Sequence, residues 1–260
     1  MEEEYPGYVK PGFKPFDPIA LASWTKDIVC KDSMRRYTDF YCTGVYGGIS
    51  TGYTVGCCLR CIFCWVDFSR DFPEKFGSFY SPENAFEQLL KNAKKEKVKR
   101  MRISGGEPTL CRDHLLSLLD LIEGKGYLFI LETNGILFGA DEGYVERLTK
   151  YTGIHVRVSL KAGTPQGFQR RTGAKGDFYE LPYNAIRYLV KEKISFHVAA
   201  MSDPRLMPPE ERVAMLKKLS EIGYKDSLEE ETCDPYPHTI YRLKEAGLEI
   251  FNKESRTWKA

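Results

Sequence analysis

Cys57, Cys61 and Cys64 stand in the arrangement Cys-x3-Cys-x2-Cys, inside Gly56-Cys57-Cys58-Leu59-Arg60-Cys61-Ile62-Phe63-Cys64-Trp65. Three thiolates on one short loop can hold three irons of a cubane [4Fe–4S] cluster, because soft sulfur ligands suit iron–sulfur chemistry. The fourth iron then has no protein ligand and can bind a small molecule, which points to catalysis more than to electron storage. Three plainer readings compete. The register Cys58-x2-Cys61-x2-Cys64 begins like a bacterial ferredoxin run, but that run needs a cysteine where this chain has Phe68. A structural zinc site wants four closed ligands, usually from two paired motifs; no second Cys-x2-Cys exists, and His114, His155, His197 and His238 are scattered. Buried free thiols are common singly or in pairs, whereas here four cysteines fall within eight residues.

The elements that must position this loop alternate along the chain. A strand is predicted over 50–56, leading into the cysteines, and five more over 98–104, 127–133, 155–161, 195–201 and 227–232. Helices are predicted over 81–96, 113–123, 141–149, 181–191, 208–223 and 238–246. Ser81-Pro82-Glu83 supplies an N-cap, a first-position proline and an acid in the first turn. Six strands alternating with helices argue for an α/β fold with a parallel sheet and right-handed crossovers. Residues 1–49, rich in Pro, Gly and aromatics, read as an N-terminal extension wrapping the core, with a short helix around 19–28. Residues 50–260 read as one domain.

Each unusual motif falls just past a predicted strand. After the cysteine loop come Gly105-Gly106-Glu107-Pro108, Glu132-Thr133-Asn134-Gly135, Ser159-Leu160-Lys161, Met201-Ser202-Asp203-Pro204 and Thr232-Cys233-Asp234-Pro235. Ligands bind at that edge of parallel α/β sheets, closed or open. Singly, each has a bland reading. Gly-Gly-Glu-Pro can be only a turn; otherwise its glycines let the backbone approach a ligand ammonium whose protons carbonyls and Glu107 accept. Asn134-Gly135 can merely reverse the chain. Lys161 can reach solvent or meet a carboxylate or ribose hydroxyl. His197, on one strand face with Ala199 and Met201, reads as a satisfied core residue. Arg170, Arg171 and Lys175, in a predicted loop, could face an anionic substrate or only water.

Bulk composition narrows the function classes. The 260 residues are 42% hydrophobic and 13% aromatic, as expected of a globular chain. Formal charge is +2, from 38 basic and 36 acidic residues. That near balance favours neither a membrane surface nor stable DNA binding, and the basic run Lys94–Arg100 reads as a solvated helix end. No apolar stretch reaches membrane-spanning length. The acidic start, Met1-Glu2-Glu3-Glu4, is unlike a signal peptide. With eight cysteines, it predicts a cytoplasmic protein whose thiols serve metal chemistry rather than disulfides.

The cysteine triplet with Phe63, followed by Gly105-Gly106-Glu107 and Thr133-Asn134-Gly135, resembles the radical S-adenosylmethionine superfamily over about residues 50–246. The resemblance implies a partial (β/α)6 barrel carrying a [4Fe–4S] cluster at its open face. It also implies reductive cleavage of S-adenosylmethionine, a 5′-deoxyadenosyl radical and hydrogen abstraction from a substrate. By similarity, Cys57, Cys61 and Cys64 hold the cluster. Gly105, Gly106 and Glu107 hold the amino group, next to Thr133 and Asn134. Ser159 and Lys161 meet the carboxylate or ribose, and Phe63 and Met201 flank the adenine. A low-potential donor of ferredoxin or flavodoxin type is implied as partner.

Two branches are similar. The Gly56–Cys61 run, Ser104–Pro108 and Glu132–Gly135 resemble activating enzymes of the pyruvate formate-lyase activator type, which install a glycyl radical on a partner protein. The long N-terminal segment departs from them, as does Ser159 where an acid is expected. Cys61-Ile62-Phe63-Cys64-Trp65 and Val158–Ala162 resemble tRNA wyosine-base synthase, whose upstream second-cluster region is similar to that around Cys30 and Cys42. Those two, with Cys58, are either buried thiols or ligands of a second cluster. The substrate (a protein, a nucleotide or a small molecule) is not named by these residues. The opposing class is a non-catalytic iron–sulfur or zinc-binding protein.

Overall fold

In the computed structural model, which describes residues 5–251, the strands are β1 (Cys30–Lys31), β2 (Met34–Thr43), β3 (Ile49–Thr54), β4 (Ser78–Tyr80), β5 (Arg100–Gly105), β6 (Leu128–Thr133), β7 (Ile154–Leu160), β8 (Phe196–Met201) and β9 (Glu229–Glu231). The helices are α1 (Pro18–Val29), α2 (Pro82–Lys95), α3 (Arg112–Ile122), α4 (Ile136–Ala140), α5 (Glu142–Glu146), α6 (Pro165–Thr172), α7 (Leu181–Lys191), α8 (Pro209–Glu221) and α9 (Pro237–Glu245). The six predicted strands all form, and β3-β5-β6-β7-β8-β9 pair in parallel in that order. Among the described residues β9 pairs only with β8, so the barrel stays open, as a partial (β/α)6 barrel requires.

Alternation along the strands separates two environments. Met101, Ile103, Phe129, Leu131, Val156, Val158, Val198 and Ala200 are almost wholly buried, in one core with Leu115, Leu118, Leu119, Ile186, Leu189, Met215 and Leu219 of the helices. The other face carries Arg102, Ser104, Glu132, Arg157, Ser159 and Glu231, which turn into the barrel.

The chain differs from its sequence reading in four places. Residues 34–43 are not an extended wrap: β2 runs antiparallel to β3, from Tyr37↔Thr54 to Thr43↔Ile49. Its Arg-, Tyr- and Thr-rich sequence has none of the aliphatic runs that mark inner strands. The helix predicted over 141–149 breaks into α5 and a 3-10 turn at Arg147–Lys150. Helices α4 and α6 were not foreseen. Helix α6 has only eight residues and no apolar period, but Thr164 caps it by accepting from Gly167 N at 3.1 Å, with Pro165 next. Lastly, Cys30 and Cys111 form a disulfide, with Cα atoms 5.9 Å apart. This corrects the expectation that no cysteine would be so paired.

Candidate active site

All the predicted site residues line one cavity of about 170 Å³ at the C-terminal edge of the strands: Cys57, Cys61, Phe63, Cys64, Gly105, Gly106, Glu107, Thr133, Asn134, Ser159, Lys161 and Met201. Cys57, Cys61 and Cys64 are free thiols. Their sulfurs do not gather within the 4.8 Å that joint ligation of one ion would need. Cys58 does not line the cavity; it is fully buried, and Asn134 Nδ2 donates to its sulfur at 3.3 Å. The hydrogen bond from Cys58 lowers the Cys57 thiol to about 7 against the effect of burial. Burial pushes Cys61 up to about 12, with Lys161 pulling the other way.

The cysteine loop has little regular structure of its own, and buried arginines set its shape. Arg60 Nη1 donates to the Cys57 carbonyl at 2.8 Å, Arg70 Nη1 to that of Cys61 at 2.6 Å, and Arg242 Nη1 to that of Cys64 at 2.7 Å. Each of these three cysteines thus has a guanidinium on its backbone carbonyl. Arg70 and Arg242 share Asp71, one on each carboxylate oxygen. Burial raises the Asp71 pKa and the two guanidiniums outweigh it, holding the carboxyl below its ordinary value. Arg60 has no carboxylate partner among the described residues; its buried Nη2 is unsatisfied, and it lies over the Tyr5 ring at 5.0 Å. Backbone bonds add to this. Arg60 N donates to Thr172 O and Ile62 N to Arg171 O, both at 2.9 Å, so the end of α6 fixes the loop's far side.

Gly105 and Gly106 bring the next loop against this one. Gly105 has φ of +87°, and a Cβ on Gly106 would lie 2.1 Å from Gly56 O. In that contact Gly106 N donates to Thr54 O at 2.7 Å and Glu107 N to Gly56 O at 2.9 Å. The Glu107 carboxylate is mostly committed within the protein. Its Oε1 accepts from Thr109 N, Thr109 Oγ1 and Thr133 Oγ1, while Oε2 accepts from Asn134 N at 2.9 Å. One acceptor position on Oε2 is left for a ligand. Asn134 Oδ1 accepts from Ile136 N at 3.0 Å, so Asn134-Gly135 opens α4 as well as turning the chain. Lys161 has no hydrogen-bond or ion-pair partner for its ammonium among the described residues; it lies 6.0 Å from the Phe63 ring centroid.

A model of the Radical SAM superfamily matches residues 52–202. The chain belongs to that family. Its enzymes work with a [4Fe–4S] cluster and S-adenosylmethionine, and the donor set fits both groups: three open thiols, a surplus of buried cations around them and an unpaired ammonium beside them. The chain is 27% identical to a 7-carboxy-7-deazaguanine synthase of Rhodopirellula baltica, over 58% of this chain and 53% of that protein. A protein of Methanocaldococcus jannaschii, provisionally described as a glycyl-radical enzyme activating enzyme, is 32% identical over 42% of this chain and 38% of its own length. The chain thus spans about half or less of the curated relatives it matches. The wyosine synthase TYW1, solved with a lysine–pyruvate adduct bound, shares the fold with a TM-score of 0.52 and 21% identity, over 71% of this chain and 64% of that one. Both branches suggested by the sequence thus occur among the proteins it is similar to, one by sequence and one by fold.

The barrel interior that shares this cavity with the cysteine loop is strongly charged. Arg157 donates to Glu229 at 3.0 Å, to Glu231 at 2.7 Å and to Ser159 Oγ at 2.9 Å. That leaves the Ser159 proton free to donate. Glu132 accepts from Arg102 at 2.7 Å, Tyr46 at 2.8 Å and Ser104 at 3.2 Å. His197 is satisfied, between His155 at 2.7 Å and Glu229 at 2.8 Å. Sequence reasoning placed Glu132 in a strand-end motif without a role and missed Arg102, Arg157, Glu229 and Glu231. The available signal was parity: each lies two or four residues from a motif residue or from another of the set, on the same strand face.

Two alternatives left open by the sequence are narrowed. Arg170, Arg171 and Lys175 do not line this cavity. Arg171 is buried on α6, pairs with Glu211 and donates to Lys161 O at 2.9 Å. With Arg170 it borders a separate groove of about 420 Å³ beside Val9 and Phe13, which holds none of the cysteines. Nor do Cys30, Cys42 and Cys58 converge as ligands of a second cluster. Cys30 is bonded to Cys111, Cys42 donates to Asn92 O on α2 at 3.5 Å, and Cys58 sits against Asn134.

Proposed function

We propose that this chain cleaves S-adenosylmethionine reductively and uses the product radical to abstract hydrogen from a substrate presented at the barrel's open face. The observation that carries this reading is the convergence of the three cysteines and the nine predicted cofactor-binding residues on one cavity. Cys57, Cys61 and Cys64 would hold the cluster. Bound together, the cluster and S-adenosylmethionine supply one-electron reduction and a carbon-centred radical able to take an unactivated hydrogen. The protein's own part is alignment and exclusion of water. Glu107 Oε2 and the Gly105–Gly106 backbone accept protons from the amino group, with Thr133 and Asn134 fixing the carboxylate. Lys161 pairs with the ligand carboxylate, Ser159 donates to the carboxylate or ribose, and Phe63 and Met201 flank the adenine.

The substrate class that the Methanocaldococcus jannaschii relative supports is a glycyl site on a partner protein. A ferredoxin- or flavodoxin-type donor would supply the electron, and the cytoplasm would be the working compartment. Among the described residues no helix is long and apolar enough to cross a membrane. The deciding experiment is anaerobic reconstitution, reduction with S-adenosylmethionine present, and measurement of 5′-deoxyadenosine. Fully loaded protein that forms none would refute the reading. Deuterium carried from a labelled glycyl partner into 5′-deoxyadenosine supports activation; deuterium from a nucleotide or metabolite instead would replace it.

A further inference from the structure

The disulfide between Cys30 and Cys111 has two unequal sulfurs. Cys111 is 4% exposed, at the N-terminus of α3, whereas Cys30 is half-buried. Arg35, 1% exposed, directs Nη1 at the pair, 3.2 Å from Cys111 Sγ and 3.9 Å from Cys30 Sγ. Its Nη2 donates to Val55 O and Glu107 O, which places the pair directly behind the Glu107 loop. Its Nε has no partner, and among the described residues no carboxylate pairs with this guanidinium. By contrast Arg70, Arg171 and Arg242, as deeply buried, each meet one. A buried cation without an anion is costly, and a disulfide sulfur is only a weak acceptor. A thiolate at Cys111 would be the missing anion.

We propose that Cys30–Cys111 is a thiol–disulfide exchange site, at which a dithiol reductant attacks Cys30 and Cys111 departs as a thiolate paired with Arg35. The attacked cysteine is the more exposed of the two, and the leaving sulfur is the one whose anion is stabilised, as exchange chemistry favours. In the first step the reductant's thiolate bonds to Cys30 Sγ while the Cys30–Cys111 bond breaks, its electron pair going to Cys111. The reductant's second thiol then attacks its own bonded sulfur, closing the reductant's disulfide and releasing Cys30. Two electrons pass to the protein. Of the reductant's two protons, one ends on Cys30 and the other is released, because Cys111 stays ionised.

The ionisable groups around Arg35 are Tyr37, Glu107, Tyr144, Cys57 and His114. Burial keeps both tyrosines protonated and His114 neutral, and Glu107 is bound to Thr109, Thr133 and Asn134. Cys57 belongs to the metal site. Beside Cys111 in the chain, Arg112 is paired with Asp141 and Asp113 is exposed.

The test equilibrates the reconstituted protein anaerobically with reduced and oxidised dithiothreitol between about pH 6 and 8, where the reagent's thiols stay protonated. After acid quenching, the Cys30–Cys111 pairing is counted by mass spectrometry of alkylated peptides. Release of one proton per exchange makes the apparent equilibrium constant rise about tenfold per pH unit. Arg35→Gln should abolish the rise. Arg35→Lys, which keeps the charge, should retain it, and it carries the comparison if the glutamine variant fails to fold. A constant that does not change with pH in the wild type, the same rise in Arg35→Gln, or a pair that dithiothreitol cannot reduce would each overturn the proposal.

Discussion

Replacing Arg242 by Met should destabilise the fold by an amount that its contacts allow to be worked out. The side chain is 2% exposed and donates to the carbonyls of Cys64, Val66 and Asp67 and to Asp71 Oδ2. Methionine fills much of the volume but donates nothing. Cys64 O keeps a bond from Thr239 Oγ1 at 3.2 Å, Asp67 O one from Arg70 N at 3.4 Å, and Asp71 keeps Arg70, so the variant leaves the Val66 carbonyl unpaired and one carboxylate half-compensated. An unpaired buried carbonyl costs about 1–3 kcal/mol, and breaking a buried ion pair about 3–5 kcal/mol when the remaining charge has no other partner. These terms overlap, because Arg70 still compensates Asp71. The expected loss is therefore about 4 kcal/mol. In a chain of this size that lowers the melting midpoint by roughly 8–16 °C. The assay is thermal unfolding of cluster-free protein followed by circular dichroism. Arg212→Met, which removes a surface pair with Glu230, serves as control and should leave the midpoint unchanged. An Arg242→Met midpoint equal to wild type would mean that α9 is held by apolar contacts alone, and the account of the loop given above would fail.

Other outcomes follow from the same geometry. Cys61→Ala should lose the cluster's iron and visible spectrum on reconstitution, while Cys58→Ala should keep both; the reverse result would show that the register is wrong. Lys161→Gln should weaken S-adenosylmethionine binding to loaded protein roughly 10- to 100-fold by equilibrium dialysis, the value of one hydrogen bond to a charged group. His114 accepts from Tyr37 at 2.7 Å and, through its other nitrogen, donates to Ser33 O at 2.9 Å, so it is neutral in the fold. Burial pushes its pKa down to about 4 from 6.5, and the Ser33 carbonyl only partly offsets this. A lowered folded pKa gives stability that is complete above pH 6.5 and is lost as the pH falls toward 4, by about 3 kcal/mol in all. Denaturant melts at pH 7 and pH 4.5 should therefore differ less in His114→Gln than in wild type, and an unchanged difference would remove His114 as the cause.

What could be read from the sequence was decided by range. Cys57-Cys58, Gly105-Gly106-Glu107 and Asn134-Gly135 announce themselves because thiols, paired glycines and Asn-Gly are unusual residues with local consequences. The inner strands are short aliphatic runs between turn signals, and α7 shows a clean apolar period with Leu181–Lys191 as its bounds. Arg242 gives no such sign. Its partners lie 171–178 residues away in the chain, and in the sequence it is one more basic residue on a helix. Cys30 and Cys111, 81 residues apart, were likewise open to several pairings. Arg102 and Arg157 fell in strands whose apolar half was enough to identify them as strands, and nothing local marks their polar half as lining the barrel.

The buried arginines also explain why an irregular loop can serve as a metal site. Around it stand Arg60, Arg70, Arg242 and Lys161, against the carboxylates of Asp71 and Glu107. Four cations and two anions leave an excess of positive charge that thiols do not neutralise while protonated. Ionised cysteines would neutralise it, and so would an anionic group bound to them. Deprotonation on metal binding and relief of the buried charge therefore act in the same direction. The backbone bonds work alongside this. Because each guanidinium sits on the carbonyl of a ligand cysteine, the charge that favours the occupant is carried by the groups that fix the loop, and the site cannot lose one function without losing the other.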